Sequence, residues 1–172
     1  MRRLLVITTL AISAIAQAAP INVLGANITF EPPADFTRLS TNEIALKWPS
    51  TSPPAGAVGN ARRTTTIAYE LKPDRIELHQ LPELKQVFEQ NISRLIPGLV
   101  WKEHKVVRIH NQDWIWLEMT SHAIDTDIYN IMLATSRHGR LLIFNFNSTK
   151  AEFPAVESAL RRSIQSIKVD AP

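Results

Sequence analysis

The chain has 172 residues and no cysteine, which excludes a disulfide framework, a thiolate metal site and a cysteine nucleophile. Its 19 Lys+Arg outnumber 16 Asp+Glu, but two of the basic residues, Arg2 and Arg3, stand at the extreme N-terminus. Without them the charge nearly cancels, and a domain near neutrality has no electrostatic footprint for nucleic acid.

Arg2 and Arg3 form a short positive region, and Leu4 to Ala16 is an uncharged run broken only by Thr8, Thr9 and Ser13. Ala16-Gln17-Ala18 then supplies the small-x-small pattern that signal peptidase reads. A helix made of that run rises about 20 Å, short of a hydrocarbon core about 30 Å thick. The expectation is an export signal over residues 1–18, cleavage before Ala19, and one globular domain over 19–172. The mature domain is then periplasmic or secreted, with no stable membrane insertion after cleavage, because no second apolar run approaches a spanning length.

Along the mature chain, residues 27–31 read as a strand that breaks at Pro32-Pro33. Residues 43–48 alternate Ile44, Leu46 and Trp48, which predicts another short strand. Residues 49–60, rich in Pro, Ser, Gly and Ala, predict a loop. Residues 64–72 alternate again, with Ile67, Tyr69 and Leu71 on one face. Residues 82–96 repeat at helical spacing through Leu84, Val87, Phe88, Ile92 and Leu95, with Pro82 in the first turn and Pro97-Gly98 as the stop. Four strands follow, over 100–110, 113–124, 127–137 and 140–148. They are joined by the short connections Asn111-Gln112, Asp125-Thr126 and His138-Gly139, which read as hairpins. Residues 152–167 close the chain as an amphipathic helix with Val156, Leu160, Ile164 and Ile167 in its stripe.

Two-residue turns dictate a register. They place Lys105 opposite Glu118, Val107 opposite Trp116, Leu133 opposite Phe144 and Ile131 opposite Phe146. One sheet face then carries Trp101, Val107, Ile109, Trp114, Trp116, Ile131, Leu133, Leu142, Phe144 and Phe146. The other carries Val106, Ile115, Leu117, Met119, Ile128, Met132, Leu141 and Ile143. An antiparallel sheet with one wet face would be polar there. Two apolar faces need two covers, and the two helices supply them. The expected fold class is therefore α+β, an antiparallel β-sheet covered by helices on both faces, an α/β/α sandwich.

This order of elements resembles the PsbP/Mog1-like superfamily. The resemblance rests on Ile28-Thr-Phe-Glu-Pro-Pro-Ala-Asp-Phe36, on Asp113-Trp-Ile-Trp-Leu-Glu118, on Leu141-Leu-Ile-Phe-Asn-Phe146 and on the helix from Glu157 to Lys168. It implies a protein-binding accessory factor without a catalytic motif, of which exported toxin-neutralising immunity proteins are one form. The short bacterial-type export signal separates this chain from photosystem members with long targeting segments, so the photosynthetic role does not follow.

Candidate chemistry is sparse. His79, His104, His110, His122 and His138 lack H-E-x-x-H or H-x-H spacing, so no metal site is expected, and no cofactor. There is no G-x-S-x-G. Asp125 and Asp127 fall in a turn, where aspartate caps backbone donors. The expected register aligns Ser121, Asn130 and Asn147 across three strands of one face, with His122, Tyr129 and Ser148 on the other. That polar row could floor a small-ligand pocket. Trp48, beside the Pro-rich loop, and Arg62 with Arg63 just after it are candidate binding residues, since tryptophan and arginine are enriched at binding hot spots. The reading is a non-enzymatic exported protein whose partner is another protein. A small-ligand carrier, and more remotely a hydrolase, are the alternatives.

Overall fold

The computed structural model describes residues 18–123 and 125–169. The expected export signal over 1–18 lies outside the described residues apart from Ala18, as does Ile124. In chain order the elements are β1 (Ile21–Val23), β2 (Ile28–Phe30), β3 (Thr37–Arg38), α1 (Thr41–Lys47), β4 (Gly56–Gly59) and β5 (Thr65–Arg75). After a 3-10 turn come α2 (Leu81–Leu95), β6 (Val100–Ile109), β7 (Gln112–His122), β8 (Asp127–Arg137), β9 (Arg140–Thr149), α3 (Phe153–Gln165) and β10 (Lys168–Val169). The fold is mixed α+β. A seven-stranded antiparallel sheet has the order β3-β4-β5-β9-β8-β7-β6, and a small antiparallel sheet has the order β1-β2-β10.

The first face of the large sheet holds the larger core. Trp114, Trp116, Ile131, Leu133, Phe144 and Phe146 cluster there with Phe153, Leu160 and Ile164 of α3, and with Ile21, Val23, Ile28 and Phe30 of the small sheet. Phe30 sits edge-on to Phe144 at 5.4 Å and to Tyr69 at 5.7 Å. On the second face, Ile115, Leu117, Met119, Ala134 and Leu141 cluster with Leu81, Leu84, Phe88 and Ile92 of α2. A third cluster joins Ile44 of α1 with Leu39, Ala57, Ala68 and Trp48.

Several expectations need correcting. Residues 43–48 are not a strand. Ser40 and Glu43 form a reciprocal capping box, and the chain enters α1. Ile44 and Trp48, four apart, then share a face, while Leu46 between them is 83% exposed. Residues 49–60 are not loop throughout, because β4 pairs with both β3 and β5.

The first hairpin turns at His110-Asn111, with His110 at φ +51° and Ile109 opposite Gln112. Gln112 belongs to the strand because its buried amide donates to Thr135 Oγ1 at 2.8 Å. Lys105 therefore faces Trp116, Val107 faces Trp114, and Glu118 faces Glu103. The second connection is longer than expected, since His122 pairs Asp127 and Ser121 faces Ile128. Both registers shift by two residues, so most side chains keep their face. Trp101 does not. An irregularity between Trp101 and Glu103 turns it to the second face, opposite Met119, where its Nε1 donates to Ser93 Oγ of α2 at 3.2 Å. The third turn, His138-Gly139, has φ of +53° and +67° and is the expected tight hairpin. Leu133 faces Phe144 and Ile131 faces Phe146, as expected.

Candidate functional site

The sheet order separates the two elements that lie on the second face. The cluster of α1 involves Ala57 of β4 and Ala68 of β5, at one end of the sheet. The helix α2 contacts β6 and β7 at the other end. Between them run β9 and β8. Their second-face side chains Ile143, Asn145, Asn147, Ile128, Asn130 and Met132 are all half-buried, whereas Ala68, Leu117 and Met119 to either side are buried. The result is a trough floored by amides and a few apolar side chains.

Asn147 Nδ2 donates to Asn130 Oδ1 at 2.6 Å across the floor. Asn145 Oδ1 and Thr66 Oγ1, on the same face, are buried without a partner among the described residues. A buried polar atom left unpaired costs about 1–3 kcal/mol, so this floor has unmet hydrogen-bonding capacity. At the α1 side the trough deepens into a cavity of about 290 Å³ lined by Trp48, Ser52, Glu70, Lys72, Ile143 and Asn145. The Lys47 ammonium lies 5.6 Å from the Trp48 ring centroid and donates to the Arg63 carbonyl at 3.0 Å. Burial pulls the Lys47 amine below its usual value, against the opposing charge of Asp125.

The residues singled out in the sequence fall in different places. Trp48 stands at the rim of the trough, and Asn130 and Asn147 are its floor. Ser121 is on the same face but two residues out of line, because Met119 pairs with Asn130. Arg63 is engaged within the protein. Its guanidinium donates to Glu43 at 2.9 Å, to Thr37 Oγ1 at 2.9 Å and to the Gly59 carbonyl at 2.9 Å, tying α1, β3 and the β4–β5 turn together. Arg62 is well exposed and pairs with Glu152 at the start of α3. His122 bonds Asp127 at 2.7 Å across the end of the ladder. His104 pairs with Glu89 of α2, and His110 Nε2 lies 2.9 Å from the Gln165 carbonyl. Among the described residues no three His, Asp or Glu side chains converge as metal ligands.

Tyr129 belongs to a network on the first face that sequence reading missed. Its hydroxyl donates to Glu118, and its ring stacks on Phe153 at 3.5 Å. The buried Glu118 also accepts from Trp116 Nε1 at 3.0 Å and from Arg161 Nη2 of α3 at 2.7 Å. Burial pushes the Glu118 carboxyl up, but the bonds from Arg161, Tyr129 and Trp116 outweigh it and leave it below the ordinary range. Burial and the neighbouring carboxylate push the Tyr129 hydroxyl well up. Every polar atom of the cluster is paired, so it works as a clasp between α3 and the sheet. The available signal was a glutamate amid the apolar run Trp114 to Met119.

No family model matches the chain, and no curated protein does. Solved structures do match. The cyanobacterial PsbP (CyanoP) of Synechocystis shares 12% identity over 95% of this chain and 98% of that one, with a TM-score of 0.63. LpqN of Mycobacterium tuberculosis, a protein involved in cell envelope biogenesis, shares 12% identity over 89% of this chain and 90% of that one, with a TM-score of 0.61. A protein of Bacteroides thetaiotaomicron, of which this chain spans 49%, gives a TM-score of 0.54 at 12% identity. Both the PsbP and the LpqN structures match over most of the chain, and the protein has the PsbP/Mog1-like fold.

Proposed function

We propose that the chain is an exported, non-enzymatic accessory factor of the envelope that recognises another protein through the second-face trough. The observation that carries this reading is the half-buried strip of Ile143, Asn145, Asn147, Asn130 and Met132 between α1 and α2, with Trp48 at its rim. An amide floor suits an extended protein segment, because each Asn both donates and accepts, and a half-buried tryptophan at the edge suits an apolar anchor. LpqN, a structural neighbour involved in cell envelope biogenesis, supports an envelope setting, and the N-terminal Arg2-Arg3 and Ala16-Gln17-Ala18 pattern supports export. The narrower form is an immunity protein that blocks a toxin acting in the envelope. In the same reading α2 covers one sheet face and α3 the other, as an α/β/α sandwich.

A photo-crosslinking side chain placed in turn at Ser52, Asn147 and Ser158, in the native host, tests the trough. The expected result is one discrete protein adduct from Ser52 and Asn147 and none from Ser158 on the exposed side of α3. An adduct from Ser158 alone, or none at all, overturns the reading. For the immunity form, the crosslinked protein poisons cells when expressed without this chain and is harmless with it.

A further inference from the structure

A second cavity, of about 440 Å³, lies at the edge of the sheet between the β1–β2 turn, α1 and the paired strands β4 and β5. Its walls are mostly apolar, with Val23, Leu24, Leu39, Ile44 and Leu71 prominent. Five polar residues line it as well: Asn22, Arg38, Thr41, Tyr69 and Arg140. Tyr69 is only 6% exposed. Its hydroxyl accepts from Arg38 Nη1 at 3.2 Å, and among the described residues nothing accepts the hydroxyl's own proton. Among the described residues neither arginine is ion-paired with a carboxylate, and both are exposed. Arg140 is fixed by its own bonds, Nε to the Lys72 carbonyl at 3.1 Å and Nη2 to the Leu71 carbonyl at 3.0 Å.

Two local features shape the cavity. A β-carbon built on Gly56 would stand 2.5 Å from the Tyr69 ring, so a residue without one lets the ring lie across β4. Leu24 projects from the β1–β2 turn with 86% of its surface exposed, at the cavity's lip. A leucine so exposed gains nothing in the free protein and would be covered by an apolar ligand.

The buried Tyr69 hydroxyl has no acceptor among the described residues, and the exposed Arg38 guanidinium beside it offers a second, charged donor, so together they suit an oxyanion. Aliphatic walls around it call for a hydrocarbon chain. We propose that this cavity binds an aliphatic monocarboxylate, a free fatty acid. Its carboxylate accepts from Tyr69 and Arg38, and its chain runs along Val23, Leu39, Ile44 and Leu71 beneath Leu24. Tyr69 also lines the cavity beside Trp48, but the proposed site requires no protein partner.

The test is calorimetric titration of the full exported chain with decanoate, decanol and decyltrimethylammonium. Decanoate binds and raises the melting temperature, while the alcohol and the cation bind at least about tenfold more weakly, the loss of a charge-assisted bond. Arg38→Gln and Tyr69→Phe each weaken decanoate by about tenfold with an unchanged melting temperature of the free protein. Leu24→Asp, at an exposed position that does not endanger folding, abolishes binding by setting a carboxylate at the lip. Equal affinity for decanoate and decanol, or unchanged decanoate affinity in both Arg38→Gln and Tyr69→Phe, overturns the proposal. So does tighter binding of a short apolar peptide with a free C-terminus than of decanoate, which would make the site a peptide-carboxylate pocket.

Discussion

Arg161 and Glu118 are the pair on which the attachment of α3 turns. The Glu118 side chain is 3% exposed and Arg161 supplies its only cationic partner among the described residues. Glu118 is buried while Arg161 is 38% exposed, so solvent screens part of the charge left behind, and Arg161→Met should cost about 1–3 kcal/mol in denaturant unfolding. Glu118→Gln in the Arg161→Met background should recover part of that loss, since the two residues act as a unit. Equal stability of Arg161→Met and the unchanged protein would contradict the clasp. Glu43 acts on pH dependence instead. The Ser40 backbone N–H, then Arg63, pull its carboxyl from 4.5 to about 2. As pH falls, the unfolded chain takes up this proton first. The contribution is therefore complete above about pH 4.5 and is lost as pH drops towards about 2. Glu43→Gln should flatten the melting temperature against pH within that window. At this scale the sequence was legible only in part. Asn130 and Asn147 could be paired from strand parity, but nothing local marks Glu118 as a partner of Arg161, because 43 positions separate them.

The elements were read correctly where a long periodicity or a turn signal governs them. The helix α2 and the four meander strands have enough length for their period to dominate, and α3 has both a stripe and an early proline. The helix α1 was misread because three alternating residues are too few to distinguish strand from helix. Ser40-x-x-Glu43 was the stronger signal, since a capping box satisfies two otherwise orphan N–H groups. The stop after α2 is more stringent than a proline alone. Gly98 has φ +63°, and a β-carbon there would fall 1.8 Å from the His122 ring. Gly98→Ala should therefore cost more than about 1 kcal/mol, read as a lower urea midpoint. An unchanged midpoint would show that the α2–β6 connection adapts freely. Pro73 stands where the β5–β9 register shifts, between Leu71 and Arg75, as expected of a residue with no N–H for the ladder.

For the whole molecule, Leu133 and Phe144 sit opposite each other in neighbouring central strands and are both fully buried. Leu133→Asp and Phe144→Asp each place a carboxylate in that core at a cost of several kcal/mol, against a total stability of about 5–15 kcal/mol. Neither variant should give a cooperative thermal melt, whereas near-normal melts would remove the first-face core as the main source of stability. The sequence by itself determined the class of the fold, the four-strand meander and the two apolar faces. Those follow from period and turn chemistry, which act within about ten residues of chain. Only the tertiary structure decided which strand stands beside β9, how α1 and α2 divide the second face, and where the small sheet joins α3. It also decided which polar atoms were left unpaired. Those outcomes depend on contacts between distant segments, such as Thr66 with Asn147 and Arg38 with Tyr69, whose energies are comparable to many alternatives until the whole core closes around them.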